Sequence, residues 1–508
     1  ADALDEAGSR NRIVLVLPFD NGTGQPSLEW IREAAAELLT SRFASAGLSP
    51  LRREDRLYAL DHLGLPEGFQ PSRASALKLA QTLDAESIVV GSFRMEDTHL
   101  VAEARVVDVP HLTMSALVTS RGPMASMVVV FDRLAWKLTR TIDPKFNGSE
   151  ETFVAAGKGL RVDAFEQYIR GITEPDQAER ISHLQQSVKL DPKFGPAWMA
   201  IGRTDYGGQD YEQAAEAFAK VGRNSPDALE AGFYRGLSLL FSGQYAKAEA
   251  AFGQVAKILP LAEVLNNEGV AVSRQGHDGS DFFRRATGAD PRVADYHFNL
   301  AVSLKHKGAT PEALIELKQC LKLRPSDSEA QSLLTDWTTP RTAATDPEAR
   351  PDPLERIVRR FDAAAFRQAA NMMNQVELAR LAELSPSERA RMLAKQANEY
   401  LERGLLLEAE RFYQSAVSAD GSLAEAHVGL AEVNERAGDA DEARKEAGAA
   451  LAISPSAEAY LVMARLDLAA NDEAKAGEEA QQALRLDPQS RAAQDLIQKI
   501  QAKAGAPK

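Results

Sequence analysis

The stretch Asn21-Gly22-Thr23-Gly24-Gln25 lies between a short apolar run and a helical stripe, where a phosphate-binding loop would sit. A loop that wraps phosphate needs Gly-Lys-Ser/Thr to hold the phosphate and magnesium, and a dinucleotide turn needs a third glycine and a distant acid. Neither set is complete, so the stretch reads as a turn, with anion capture at the following helix N-terminus as the alternative. The eight histidines are scattered, with no His-Glu-x-x-His and no close pair at metal-ligand spacing. No Gly-x-Ser-x-Gly elbow is present. The single cysteine, Cys320, rules out an intramolecular disulfide framework and a cysteine-cluster metal site. It stands where a packed helix wants a small side chain, which reads as packing and not as a reactive thiol. No catalytic constellation, metal site or cofactor is expected, and recognition becomes the chemistry to look for.

The elements that would position a recognition surface repeat along the chain. Pro192, Pro226, Pro260, Pro291, Pro325, Pro455 and Pro488 recur at steps of 34, 34, 31, 34, 130 and 33. A pattern of small and large residues precedes each. One unit reads Trp198, Gly202, Ala214, Phe218, Pro226, and the next Gly236, Gly243, Tyr245, Ala248, Phe252, Pro260. A later one reads Leu300, Ala301, Gly308, Ala313, Leu317, Cys320, Pro325, and another Leu430, Ala431, Gly438, Ala443, Ala450, Pro455. Gly202, Gly236, Ala301 and Ala431 sit mid-helix, where a partner helix must approach closely, and Ala214, Ala248, Ala313 and Ala443 answer from the second helix. Gly243, Gly308, Gly404 and Gly438 supply positive φ at the turn between helices. Trp198, Phe218 and Phe252 fill the wedge between neighbours, and the proline stops the second helix. One pair cannot bury its own apolar face, so pairs stack into a superhelix.

These residues resemble tetratricopeptide repeats, whose period and small-large-Pro pattern they share. The resemblance spans two arrays, 160–336 with about five units and 386–503 with about three units and a capping helix at Ser490–Lys503. The first unit, Val162–Pro192, is degenerate and lacks a clean small-residue crossing. The unit 261–291 is shortened near Gly276–Asp281, so its second helix should start late. Gly421 stands where proline is expected, and Asn471 stands at a turn glycine, a conformation asparagine tolerates. A Pro/Thr-rich linker is predicted over 337–353, after a short cap helix at Asp327–Asp336. Over 354–385, Ile357, Phe361, Met373, Val376, Leu381 and Leu384 fall at broadly helical spacing, which predicts a non-repeat helical connector.

Helix geometry then selects concave-face residues from the first helix of each unit. These are Met199, Arg203 and Tyr206, then Phe233, Leu237, Leu240 and Phe241, then Asn266, Val270 and Arg274, then Phe298, Val302, Lys305 and His306. The second of these faces is unusually apolar. Either a protein partner covers it, or another part of this chain does, such as the degenerate repeat or the amino-terminal domain. A clamp for terminal carboxylates needs Lys, Asn and Arg on successive first helices. Only Asn266, Asn267 and Asn299 are suggestive, and no clamp is assigned. In the later array Glu425, Glu432 and Glu435 would suit a basic ligand or form a solvated acidic face.

Residues 11–145 follow another grammar. Ile13–Phe19 is a continuous apolar run, as in a strand covered on both faces. A helix with Leu28, Ile31, Ala35, Leu38 and Phe43 on one stripe follows, with Ser27 as N-cap, and Ser72 opens another helix through Leu83. Ser87–Met95 and Leu100–Val109 read as a hairpin, Thr113–Ser120 as a third strand, and Met127–Leu138 as an amphipathic helix. The expected fold is an α/β amino-terminal layer domain followed by an all-α tetratricopeptide superhelix in two arrays. The segments Val16-Leu17-Pro18-Phe19-Asp20-Asn21, Val89-Val90-Gly91-Ser92-Phe93 and Val106-Val107-Asp108 resemble the amino-terminal domain of TolB-like periplasmic proteins. That resemblance implies a bacterial envelope setting, with binding and scaffolding and no catalysis. The family's Asp-Ala-x-Thr-Gly ending is here Asp108-Val109-Pro110-His111.

The 508 residues are 44% hydrophobic and 26% charged, which is globular composition. Net charge is −14 with no basic stripe, which argues against nucleic acid. No apolar run reaches the length of a membrane span, although peripheral envelope association is compatible with the rest. A chain beginning Ala1-Asp2-Ala3 fits a mature exported, periplasmic terminus, with a cytoplasmic protein as the alternative. The expected function is a non-catalytic scaffold that binds a peptide segment or protein subunit on its concave surfaces. The alternative is a regulatory subunit whose α/β domain senses a small ligand or anion.

Overall fold

The computed structural model describes residues 12–67, 69, 72–223, 225–339, 353–361, 376 and 379–504. They divide into two units. One holds the chain up to Val162 together with Leu378 onward, and the other holds Asp163–Glu377. Sequence order suggests three consecutive bodies, but the amino-terminal domain shares a unit with the later repeats. Such grouping depends on contacts between residues hundreds of positions apart, which no local pattern carries.

The apolar run near the amino terminus forms β1 (Ile13–Val16) and, after a break at Leu17–Phe19, β2 (Asp20–Asn21). Both lie parallel to β4 (Ser87–Glu96). The register moves from Val16↔Val89 to Asp20↔Ser92, so one extra residue bulges out around Pro18, which has no N–H to give the ladder. β3 (Ser49–Pro50) flanks β1 in parallel. β4 turns through Asp97 (φ 54) into β5 (His99–Asp108), an antiparallel partner over its whole length. The expected third strand of the meander is two pieces, β6 (Thr113–Met114) and β7 (Val118–Pro123), both on β5.

Helices Ile31–Ser45 and Met127–Ile142 pack together, the latter against β5 and β7. Phe19 meets Phe131 edge-on at 5.8 Å. A Cβ at Gly91 would collide with the Phe19 ring, so that strand position must stay bare. Arg42 donates to the fully buried Asp132 at 2.7 Å and ties these two helices. Helix Arg73–Thr82 packs on β4, and Arg53–His62 packs on that helix. Ser72 caps Arg73–Thr82 by accepting from the Ser75 N–H, as expected. Ser27 does not cap a helix; it lies within a 3₁₀ turn, and the following helix starts at Ile31. Proline at 26 favours that tight turn. In the same unit helix Glu150–Ala156 packs on helices Leu406–Ala419 and Ala424–Ala437. The Ser149 N–H donates to the buried Glu410 carboxylate at 3.2 Å, and Lys158 donates to the Ala437 carbonyl at 3.1 Å.

The repeats are antiparallel helix pairs, five in one unit and three in the other among the described residues. Small residues sit where helices cross. A Cβ at Gly202 would lie 2.6 Å from the Phe218 ring, and one at Gly236 would lie 2.7 Å from Phe252. The degenerate first pair, Val162–Thr173 and Gln177–Leu190, does have such a crossing, at Gly171 against Leu184. The shortened unit starts its second helix late, at Ser280. Turn residues Gly243, Gly308, Gly404, Gly438 and Asn471 all have positive φ.

A second regularity recurs at five of the turns. The side chain six residues after the turn residue donates back to its carbonyl. Trp198 reaches Pro192 (2.9 Å), His297 reaches Pro291 (3.0 Å), and Gln331 reaches Pro325 (2.6 Å). His427 reaches Gly421 (3.2 Å) and Gln494 reaches Pro488 (3.4 Å). The carbonyl is the group used, so Gly421 substitutes for proline without loss of the staple.

Candidate functional site

In the unit Asp163–Glu377, first helices Ala228–Phe241, Ala262–Ser273 and Ala294–His306 present side chains to one concave surface. Three of these side chains, Asn266, Asn267 and Asn299, have no exposed surface. A buried amide is costly unless its donors and acceptor are engaged. Here the partner is a stretch of the chain's own backbone. Residues 353–361 were expected to open a helical connector, but they are extended and lie along this surface. Of the rest of the expected linker and connector, 340–352, 362–375 and 377–378 lie outside the described residues, and 379–383 are helical as expected, with Leu381 and Leu384 packed with the later repeats.

The grip on the backbone is two-way and repeated. Asn299 accepts from the Arg356 N–H at 2.6 Å and donates to the Arg356 carbonyl at 2.8 Å. Asn267 accepts from the Val358 N–H at 2.9 Å and donates to the Val358 carbonyl at 2.8 Å. Asn266 adds a bond to the Arg356 carbonyl at 3.0 Å and accepts from Asn299 at 2.8 Å. Residues two apart on an extended chain present both polar groups to the same edge. The asparagines therefore occupy that edge as a neighbouring strand would.

Side chains of the segment fill distinct pockets. Arg274 donates to the Glu355 carboxylate and to its carbonyl, each at 3.2 Å. Arg356 enters a carboxylate cluster, at 2.9 Å from Asp295, 2.5 Å from Asp327 and 2.9 Å from Glu329. Its guanidinium stacks 3.6 Å from the centre of the Phe298 ring. Hydrogen bonding from Arg356 holds the Asp327 carboxyl below its ordinary range. Burial opposes ionisation of Asp295, and hydrogen bonds from Arg324 and Arg356 outweigh it, so that carboxyl is also lowered. Phe361 lies 5.5 Å from Phe233, Ile357 packs on the same apolar cluster, and Arg359 lies 5.2 Å over Phe241.

The structure brings Phe233, Phe241, Asn266, Arg274 and Phe298 together around this segment. Leu237 and Leu240 are buried in the cluster beneath it, and Tyr206 meets Tyr234 edge-on and Phe241 at a tilt at its edge. Met199 packs inward with Ala214, Phe218 and Ala231. Arg203 pairs with Glu230 at 2.7 Å across two repeats, and Lys305 lies 5.6 Å over Trp337. In the later array Glu435 is bound by Arg465 at 2.6 Å, with Glu432 4.0 Å from the same guanidinium, so that acidic stripe carries its own counter-ion. Glu425 opens helix Ala424–Ala437.

The amino-terminal turn is closed on itself. Asn21 accepts from the Thr23 N–H at 3.0 Å, Thr23 accepts from the Gln25 N–H at 3.0 Å, and Gly22 donates to the Phe93 carbonyl at 2.8 Å. The Glu29 carboxylate lies 2.9 Å from Asn21. An anion there would meet occupied amides and a negative neighbour. Cys320 is buried among Ala301, Leu317 and Ala330, and burial pushes its thiol up to about 11. Among the described residues no group of three or more His, Cys, Asp or Glu could hold a metal ion, and no helix is long and apolar enough to cross a membrane.

Comparison with known proteins agrees with the repeat reading. A tetratricopeptide repeat family model matches residues 199–263 and 394–458. Anaphase-promoting complex subunit 3 of Schizosaccharomyces pombe is 24% identical over 162 residues, or 31% of this chain and 24% of that protein. The chain thus spans about a quarter of that relative's length. Among solved structures, MamA is 17% identical with a TM-score of 0.30, covering 32% of this chain and 96% of that one. YrrB, described as a tetratricopeptide protein with an unusual peptide-binding site, is 16% identical with a TM-score of 0.30, covering 39% and 97%. The first repeat domain of Spaghetti (RPAP3) bound to an HSP90 peptide is 22% identical with a TM-score of 0.23, covering 24% and 96%. The chain carries tetratricopeptide repeats behind a strand-containing amino-terminal region.

Proposed function

We propose that this protein is a non-catalytic interaction scaffold whose first repeat array holds an extended protein segment in its concave groove. One observation carries the reading. Three buried asparagines on two consecutive first helices bind the edge of an extended backbone, the segment 353–361. Backbone recognition by side-chain amides accepts an extended chain whatever its sequence, and the flanking pockets then select among sequences. The surface is preformed by stacked repeats, so little ordering is required of the receptor. The TolB-like motifs of the amino-terminal domain favour a bacterial envelope complex as the setting, with the protein exported.

The test is affinity purification of the full chain from its native cell, with separated envelope and cytoplasmic fractions and mass spectrometry. The variant Asn266→Ala/Asn267→Ala/Asn299→Ala should lose the partners of the first array while remaining folded. An unchanged partner set in that variant would remove the groove from the function. Recovery only from the cytoplasmic fraction would remove the envelope setting.

A further inference from the structure

The segment 353–361 makes contacts of the kind expected of a ligand. It contributes no helix or strand of its own, and it is held chiefly by side chains that address its backbone edge and the side chains of Glu355, Arg356, Ile357 and Phe361. Leu354 is 61% exposed, and Arg359 and Arg360 are exposed as well, so one side of the segment faces solvent while Glu355 and Phe361 are buried against the repeats. The array already has a closing helix, Ser328–Thr338, which buries Ala330 on the last repeat pair. The segment's place is the groove itself.

We propose that 353–361 is a resident pseudo-ligand which keeps the groove closed until a partner displaces it, and that its side chains state the chemistry of that partner. The inference rests on the groove reading above. The competing segment is an extended stretch of another protein, patterned acidic–Arg–aliphatic–aliphatic–x–x–Phe. The acidic residue meets Arg274, as Glu355 does. The arginine meets Asp295, Asp327 and the Phe298 ring. A lysine serves poorly there, because the planar guanidinium both stacks and forks between carboxylates. The aliphatic and aromatic residues take the places of Ile357 and Phe361 on the apolar cluster. The asparagines supply affinity common to all extended chains, and the arginine pocket supplies most of the selection.

Tethering sets how strongly the closed state competes. A segment linked within the same chain acts at an effective concentration on the order of millimolar. Against a free peptide of about 10 µM intrinsic affinity, this weakens apparent binding about 100-fold. A partner overcomes it by higher affinity or by a second contact elsewhere on the scaffold.

The experiment measures binding of a fluorescent nine-residue peptide copying Pro353–Phe361 to the full chain, by anisotropy. Arg356→Glu places a carboxylate against Asp327 and ejects the internal copy while leaving the groove intact. Val358→Pro is a second route, since it removes the N–H that bonds to Asn267 and restricts the backbone at 357 and 358. The Arg356→Glu chain should bind the peptide about 100-fold more tightly than the native chain and the Val358→Pro chain at least about 5-fold more tightly, and a peptide with glutamate at the arginine position should fail to bind. Equal binding by native and opened chains overturns the pseudo-ligand while leaving the groove as a peptide site. No binding by either opened chain, with both shown folded by circular dichroism, removes the groove reading and the inference with it. A native dimer that becomes monomeric in Arg356→Glu would place a second copy's segment in the groove and overturn occupancy in cis.

Discussion

Asn299 holds both backbone polar groups of Arg356, accepting its N–H at 2.6 Å and donating to its carbonyl at 2.8 Å. A helix side chain thus takes the place of a neighbouring strand. The amides of Arg356 and Val358 should be protected from hydrogen exchange in the native full chain. Asn299→Ala should expose the first and Asn267→Ala the second. Each change strands a buried backbone group and should cost about 1–3 kcal/mol of segment docking. Free exchange at both amides in the native chain would show that the segment is not gripped.

Arg356 meets its carboxylates through a planar fork, with Asp327 on both terminal nitrogens at 2.5 and 2.9 Å. Arg356→Ala should destabilise the unit by about 2 kcal/mol in urea denaturation of the full chain. Arg356→Lys should recover less than half of that, because a point charge neither stacks on Phe298 nor divides between Asp295 and Asp327. Acid should weaken the same contact. Asp295 and Asp327 have lowered pKa values, so their contribution is complete above the unfolded carboxyl range and is lost as pH falls through the lower folded values. Full recovery by lysine would reduce the pocket to simple charge attraction.

The repeats were legible in the sequence because close helix crossing is a local requirement. Gly202 and Gly236 each face an aromatic ring one helix on, and Gly243 and Gly308 must take positive φ. Helix geometry also placed Asn266, Arg274 and Phe298 on the concave face. Their occupant was not legible. Ile357 and Phe361 stand four apart and mimic a helical stripe, and tertiary bonds to the backbone from Asn266, Asn267, Arg274 and Asn299 keep that stretch out of a helix. Asp295 and Glu329 fall in first turns of helices, where acids are ordinary, so nothing local marks them as an arginine pocket. Gly171 carries no aromatic mark of its crossing, because its partner is Leu184.

Two glycines of one repeat should respond differently to alanine. A Cβ at Gly236 would lie 2.7 Å from the buried Phe252 ring, so Gly236→Ala overpacks the crossing and should cost about 1–3 kcal/mol. Adding Phe252→Leu should restore part of that loss. Gly243 has open space around it but φ +76, so Gly243→Ala should cost about 1 kcal/mol through backbone strain alone, and Phe252→Leu should not relieve it. Equal rescue of both variants would place the strain elsewhere.

Glu410 should act against stability at alkaline pH. It is 3% exposed, and burial pushes its carboxyl up to about 7, against the lowering effect of hydrogen bonds from Ser149 and Thr152. A carboxyl whose folded pKa exceeds its unfolded value binds its proton more tightly in the fold. Stability therefore falls as pH rises from about 4.5 to about 7 and then levels. Glu410→Gln keeps an acceptor for the Ser149 N–H and removes the charge. Its melting temperature should exceed the native value at pH 8, by the equivalent of up to about 3 kcal/mol, and match it near pH 4.5. A variant less stable at pH 8 would mean that the ionised carboxylate is the favoured partner of Ser149.

His297 should show the opposite dependence. Its Nδ1 lies 2.6 Å from Glu316 and its Nε2 lies 3.0 Å from the Pro291 carbonyl, so both ring nitrogens face acceptors. Only the doubly protonated ring can donate to both. The hydrogen bond to Glu316 raises the pKa, and burial only partly offsets it. The stabilisation is thus fully present below the unfolded value of 6.5 and is lost as pH rises through the raised folded value. His297→Gln can still reach the Pro291 carbonyl, as Gln331 and Gln494 reach theirs, but carries no charge for Glu316. The variant should be less stable than the native chain by about 1 kcal/mol at pH 5.5 and nearly equal to it at pH 9 in chemical denaturation. A deficit independent of pH would assign the role to shape and the staple alone, with the ring neutral throughout.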